Sequence, residues 1–587
     1  IVPKNVDPKG ISIVCSICQQ KIDPYNLFYH KKKHSALRCL GYSSPQTKTD
    51  NETLFTRRQE LISNLTKLPR YSESYRQKID YSFEFLTDKQ TNSSCCNTDN
   101  IYNSSTLKNV KNSLIKALSI CHDKNPTWQG NMEDRYIVLD NYGSRSDTSF
   151  LGLVDGYHGA AAAEAVSAEF PLLFLDQLAK TDSSYKKSME EQKILDSFCT
   201  VITADYREKE RIFSHKQDND KTNKTNTYKW IHKAYAKSFW RMDRLLQLGR
   251  NEVSKVRWSG CSILTCLVER IHNEETDSTE PIERKSLEKH RHSPLVRTSK
   301  GVAGLLHIAN IGDIHAVLCK NGKAYRLSEE HSTSNTSERK RILQGGGKIS
   351  SNEPDGLVEG HLRTTRGLGY HGDPILKKSV IPVPHTLSVP IDDSCQFLIL
   401  ASNGLWEVLD YHEVLALTLK TFTHYLRKYG GIQQNGTSLQ TCQRLMPVSE
   451  EGLNDSKATN DQHDGAEILQ SNTDIFLATS KGNLAQNEPR LDSKPFSVKT
   501  ANYTSQHLVE TIMTSGSKST LQFEEDTRVY LASHDAPTAA GGRGPAAALY
   551  NEAAGYISEH LVRAALAAGS RDNITVLIVL LNGCDKI

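Results

Sequence analysis

The chain has 587 residues, 37% of them hydrophobic, and 72 Lys and Arg against 68 Asp and Glu give a net charge of +4. That length allows one large domain with attachments, the apolar fraction requires stretches of polar linker or insertion, and the near-balanced charge argues against a general polyanion binder. The 13 Cys form no repeating framework, and no apolar leader or membrane-length run is visible, so an intracellular setting, cytoplasmic or nuclear, is expected, with no membrane contact.

Residues 1–40 hold Cys15-Ser-Ile-Cys18, an eleven-residue gap, then His30 and His34. Two thiolates and two imidazoles at this spacing close a tetrahedral Zn²⁺ shell, with both His on one helix face and Leu27 and Phe28 as a small apolar core. The competing reading is a polar tail with coincidental Cys and His. Lys31 to Lys33 lie between the His and offer phosphate contacts, but one finger seldom reads a DNA sequence. A structural or protein-contact role is expected, and nucleic acid is not.

Residues 41–106 are rich in Ser, Thr, Asn and Lys and read as a linker with one helix around Glu60 to Leu68. From 107 the pattern changes. Phe150 to Val154 is an apolar strand running into Asp155-Gly156, and helices follow over Ala160 to Lys180 and Tyr228 to Leu248. Gly304 to Ile308 and Ile314 to Cys319 are strands, and Asn321-Gly322 predicts a type I′ hairpin into Ala324 to Leu327. A short helix over Ser337 to Leu343 stops at a glycine triplet; Cys395 to Ala401 and Asn573 to Leu581 are further strands. Antiparallel hairpins with intervening helices make this an α+β fold. Polar stretches at 217–227 and 273–300 read as surface insertions. Residues 428–545 read as a long disordered insertion that splits a domain of 107–427 from its last helix and strand at 546–587.

The acidic residues form a set before any family is considered. Glu133 and Asp134 precede a strand, Asp155 ends one, Asp313 sits in a turn, and Asp572 precedes the last strand. Hard oxygen ligands at strand ends suit Mg²⁺ or Mn²⁺, and two such ions can generate a hydroxide for phosphate-ester hydrolysis. Taken singly, each Asp is more often a turn former than a ligand.

Ordered blocks then carry a resemblance: Met132-Glu-Asp134, Phe150 to Gly156, Ser259-Gly-Cys-Ser262 and Ile308 to Asp313. Further on come Leu398 to Trp406 and Gly569-Ser-Arg-Asp-Asn-Ile-Thr575. This series resembles the type 2C family of metal-dependent protein serine/threonine phosphatases. The resemblance implies a β-sandwich flanked by helices, with a two-metal site between the sheets. It assigns Asp155 to the carboxylate bridging both metals, Gly156 to a carbonyl ligand, Asp572 to a late ligand and Asp313 to a third, weaker metal. Glu133 and Asp134 match the acidic pair beside the site.

Three positions depart from the family pattern. A metal-binding Asp is Asn403, the His of the Asp-Gly-His block is Tyr157 with His158 displaced by one residue, and the phosphate-clamping Arg is Gln129. Asn brings no negative charge to a dication, Gln cannot replace a bidentate guanidinium, and a phenol with a pKa of about 10 is a poor acid at neutral pH. A residue adjacent to Tyr157 on an extended segment is expected to point the other way. The expected protein is a pseudophosphatase that binds a protein or phosphoprotein partner and holds one Mn²⁺ or Mg²⁺ rather than two. The alternative is a weak metal-dependent serine/threonine phosphatase.

Overall fold

The computed structural model describes residues 11–42, 50–66, 73–88, 105–209, 228–249, 256–271, 301–350, 356–430 and 545–587. The expected insertions at 217–227 and 273–300, and nearly all of 428–545, lie outside the described residues.

At the N-terminal end, β1 (Ile13–Val14) and β2 (Lys21–Ile22) pair antiparallel and lead into α1 (Pro24–Cys39). Asp23 caps α1 by accepting the Tyr25 N–H, and Pro24 sits where the helix has no bond to lose. Leu27 is buried but Phe28 is 61% exposed, so the expected two-residue finger core is corrected. The apolar partners of Leu27 are Ile11, Ile13 and the main domain.

The stretch expected as a linker with one helix around Glu60 to Leu68 carries more regular structure than that. It contains two helices, α2 (Asn51–Thr66) and α3 (Glu73–Thr87). Leu40, Leu54 and Ile79 bury against one another, and Tyr29 of α1 meets Phe85 of α3 at 5.0 Å between ring centroids. Leu61, Ile62 and Leu65 of α2 and Phe83 and Leu86 of α3, partly buried, complete this small core.

The main domain follows from strands whose two faces are both apolar. Its elements run β3 (Thr106–Lys108), β4 (Ile115–Asp123), β5 (Arg135–Leu139) and β6 (Thr148–Tyr157), then α4 (Ala161–Thr181), α5 (Met189–Asp196), α6 (Cys199–Ile202) and α7 (Lys229–Leu248). Next come β7 (Gly260–Arg270), β8 (Val302–Ile311), β9 (His315–Lys320) and β10 (Lys323–Arg326). After α8 (Thr336–Gln344), β11 (Leu368–Gly369) and α9 (Pro374–Ser379) lie β12 (His385–Asp392) and β13 (Cys395–Ala401). The described chain ends with α10 (Asn403–Trp406), α11 (Tyr411–Tyr425), α12 (Pro545–Ala567) and β14 (Ile574–Leu581).

One sheet has the order β10-β9-β13-β14-β4-β3, and the other has β12-β8-β7-β6-β5 with β11 paired to β7. Alternation sorts the side chains. Leu398, Leu400, Leu577 and Val579 of the first sheet meet Leu151, Leu153, Leu264 and Leu306 of the second. Their neighbours face outward: Ile399 and Ile578 pack under α11 and α12, while Phe150 and Ile263 pack under α4 and α7. The result is an αββα sandwich, the architecture that the sequence predicts. The Asn321-Gly322 turn has φ of 50° and 71°, as a type I′ hairpin requires.

Candidate active site

The sandwich brings several chain turns to one end of its two sheets. The end of β6, the β8–β9 turn, the start of α10 and the residues before β14 surround a cleft of about 750 Å³. Gln129, Tyr157, His158, Asp313, Asn403 and Asp572 all line it. Asp155 lies beneath, 1% exposed.

Asn403 stands at the centre of the carboxylates. Its backbone N–H donates to Asp155 Oδ2 at 3.0 Å, and its side-chain Nδ2 donates to Asp572 Oδ2 at 3.2 Å. Gly404 makes this possible, since a Cβ there would lie 2.2 Å from the carbonyl oxygen of Asn573. Gly156 is equally constrained, because a Cβ would fall 2.6 Å from the Glu133 carbonyl oxygen. Asn573 holds the Glu133 backbone by accepting its N–H at 2.8 Å, and Glu133 Oε2 accepts the Gly159 N–H at 3.0 Å. Asp134 Oδ2 accepts the Thr575 hydroxyl at 2.7 Å.

These carboxyls are short of positive charge. Burial, then Asp134 and Asp572, push Asp155 well above the usual carboxylate range. Burial pushes Asp134 up to about 7 and raises Asp572 as well. Such a cluster fits a divalent cation, with Asp155, Asp572 and the Gly156 carbonyl as the residues that would hold it. The fit is incomplete. Where a carboxylate would share a metal with Asp572, Asn403 presents an N–H donor to that same oxygen. Among the described residues, no three carboxylates of the cleft bring ligand atoms within 4.8 Å of one another, so much of an ion's coordination there would fall to water.

Tyr157 is the last residue of β6, and burial, then Asp155 and Asp572, raise its phenol well above its ordinary value. It therefore remains a neutral phenol. His158 corrects the expectation from alternation. It has φ of 59°, leaves the strand and lines the cleft beside Tyr157. Gln129 donates Nε2–H to the Arg571 carbonyl at 2.8 Å, and the Arg571 guanidinium lies over Trp128 at 4.7 Å.

Asp313 pairs with His315 at 2.8 Å; burial works to raise its carboxyl, but His315, Arg326 and Arg363 together hold it below the usual range. Arg326 also reaches His315, whose ring meets Trp406 edge-on with centroids 6.0 Å apart. His315, Arg326, His361 and Arg363 line the cleft and were not expected from the sequence. Only the β9–β10 register and the loop after α8 bring them there, and no local motif signals either.

The N-terminal residues form a second, separate site. Cys15 Sγ lies 3.6 Å from His34 Nε2, Cys18 Sγ 3.2 Å from His30 Nε2, and the two Nε2 atoms are 2.9 Å apart. A tetrahedral zinc with ordinary bond lengths has ligand–ligand edges of about 3.3–3.8 Å, so four donors converge here at nearly that spacing. Burial, then neighbouring cations, lowers the His30 imidazole, and burial followed by His30 lowers that of His34, favouring the neutral ligating form.

A family model described as "Protein phosphatase 2C" matches residues 292–435. A human protein named "Protein phosphatase 2C-like domain-containing protein 1" is 40% identical over 605 aligned positions, covering 99% of this chain and 91% of its own. The mouse protein of the same name is 36% identical, covering 98% of this chain and 89% of its own. A solved structure of a C. elegans sex determining protein covers 96% of this chain and 90% of its own at 13% identity, with a TM-score of 0.37. At that score the likeness carries no further weight. With phosphatase 2C-like relatives matching nearly the whole chain, it belongs to the metal-dependent protein phosphatase 2C family.

Proposed function

We propose that this chain is a pseudophosphatase: its cleft binds a phosphorylated protein segment, holds one Mn²⁺ or Mg²⁺ rather than two, and hydrolyses poorly. The observation that carries this reading is the Asn403 amide hydrogen-bonded to Asp572. It lowers the negative charge available to a second dication and occupies one carboxylate oxygen. Phosphate recognition is supported by Arg326, Arg363, Arg571 and His361 along the cleft. Poor turnover is supported by the neutral Tyr157 and by Gln129, whose amide is engaged with a backbone carbonyl.

The N-terminal cluster takes Zn²⁺. Nucleic acid is not its partner, because Lys31 is paired with Glu413 and the Lys32 ammonium sits 4.8 Å from the rings of both Tyr81 and Phe85. A second reading, slow Mn²⁺-dependent phosphatase activity, is favoured by His158 at the cleft wall. Calorimetric titration of Mn²⁺ into the purified protein tests the proposal. One binding event per cleft is expected, and two tight events would contradict it.

A further inference from the structure

The finger segment does not stand apart from the phosphatase-like domain. Ile11, Ile13 and Leu27 are buried in the same apolar cluster as Leu409, Val414 and Leu417 at the base of α11. Polar contacts surround this apolar seam. Ser16, inside the Cys15–Cys18 loop, donates its hydroxyl to Asp410 Oδ2 at 2.5 Å. Lys31, one residue after His30, reaches Glu413 Oε2 at 2.5 Å and the Val408 carbonyl at 2.9 Å. Lys420 donates to Ser12 Oγ at 2.8 Å.

These partners are not ordinary surface groups. Asp410 and Glu413 are the two halves of the capping box that starts α11. The Glu413 side chain is 0% exposed, and its only cation among the described contacts is Lys31. The segment held in this way runs directly from the cleft, where Asn403, Trp406, Glu407, Leu409 and Asp410 form one wall. The loop that supplies Cys15 and Cys18 thus lies against the residues that follow Asn403.

We propose that the Zn²⁺-loaded finger is an intramolecular clamp whose partner is the 403–413 wall of this chain's own cleft. The metal fixes the Cys15–Cys18 loop and the start of α1, and these place Ser16 and Lys31 against the α11 cap. Without the metal, four buried or half-buried Cys and His side chains lose the ion that holds them together, and Ser16 and Lys31 lose their fixed positions. Loss of Lys31 from Glu413 leaves a buried carboxylate uncompensated, and the cap loosens. The proposal rests on the zinc reading above, and the test separates the two.

The full chain is purified without added metal and its zinc content measured by mass spectrometry; one zinc per chain is expected. Hydrogen exchange is then followed in 403–413, with β4 as an internal reference, for the protein as purified, after zinc chelation, and for Lys31→Met. That variant leaves all four ligands in place. Both treatments are expected to speed exchange in 403–413 at least tenfold while β4 is unchanged, and Lys31→Met should retain its zinc. Zinc present with exchange in 403–413 unchanged by chelation or by Lys31→Met would overturn the clamp alone. Absence of zinc from the purified chain would overturn both the clamp and the zinc reading.

Discussion

Asn403 joins two carboxylates of the cleft through its own hydrogen bonds. An aspartate there would offer an oxygen and a charge; the asparagine offers Nδ2–H to Asp572 and steadies the carboxylates without an ion. Asn403→Asp should therefore act in opposite directions in two assays. Without metal it removes a hydrogen bond and adds a carboxylate beside Asp572, at a cost of about 1–3 kcal/mol, read as a lower Tm. With Mn²⁺ the affinity should rise about tenfold or more, equivalent to about 1.4 kcal/mol, and the Tm deficit should close. A metal-free Tm equal to wild type would contradict the role given to the amide. Asp155, Asp572, Asp313, Asn403, Tyr157 and Gln129 could all be found from the order of blocks in the sequence, and they meet at one cleft. His158 was misjudged because strand alternation holds only while the strand continues, and the chain turns at φ of 59°.

Among the elements, α8 and the loop after it show how a cleft wall is held by charge. Glu338 accepts from Arg366 at 2.5 Å, Arg341 at 3.0 Å and Thr365 at 2.9 Å. Burial alone would raise its carboxyl, but Arg366 and Arg341 outweigh burial and bring it down from 4.5 to about 2. A depressed carboxyl stabilises the fold above its unfolded pKa, and that stability is lost as pH falls from about 4.5 toward 2. Glu338→Gln should thus cost about 3 kcal/mol at pH 7, since it leaves the buried Arg366 and half-buried Arg341 without their carboxylate. Chemical denaturation should show the gap to wild type narrowing below pH 4.5. A gap that is constant with pH would mean that Glu338 acts by shape and not by charge. Helix α2 was legible only near its end, around Glu60 to Leu68, and α3 was not expected. Their stripes, Leu54, Leu61, Ile62 and Leu65 on α2 and Ile79, Phe83 and Leu86 on α3, are short and set among many polar and charged residues.

At the scale of the whole molecule, strands buried on both faces explain why the fold could be read from the sequence. Phe150 to Val154, Phe397 to Ala401 and Val576 to Leu581 are unbroken apolar runs because one face meets the opposing sheet and the other meets helices. The attachment of the finger was not legible, since Ser16 and Lys31 meet partners nearly 400 residues away in sequence. No helix among the described residues is long and apolar enough to cross a membrane. The scaffold of a phosphatase 2C thus surrounds a cleft in which Asn403 donates a hydrogen bond to Asp572. Steady-state turnover of a phosphothreonine peptide with Mn²⁺, measured for wild type beside Asp155→Ala, tests this most directly. Peptide binding with wild-type turnover no higher than that of Asp155→Ala is the predicted result. Mn²⁺-dependent turnover that Asp155→Ala abolishes would contradict it.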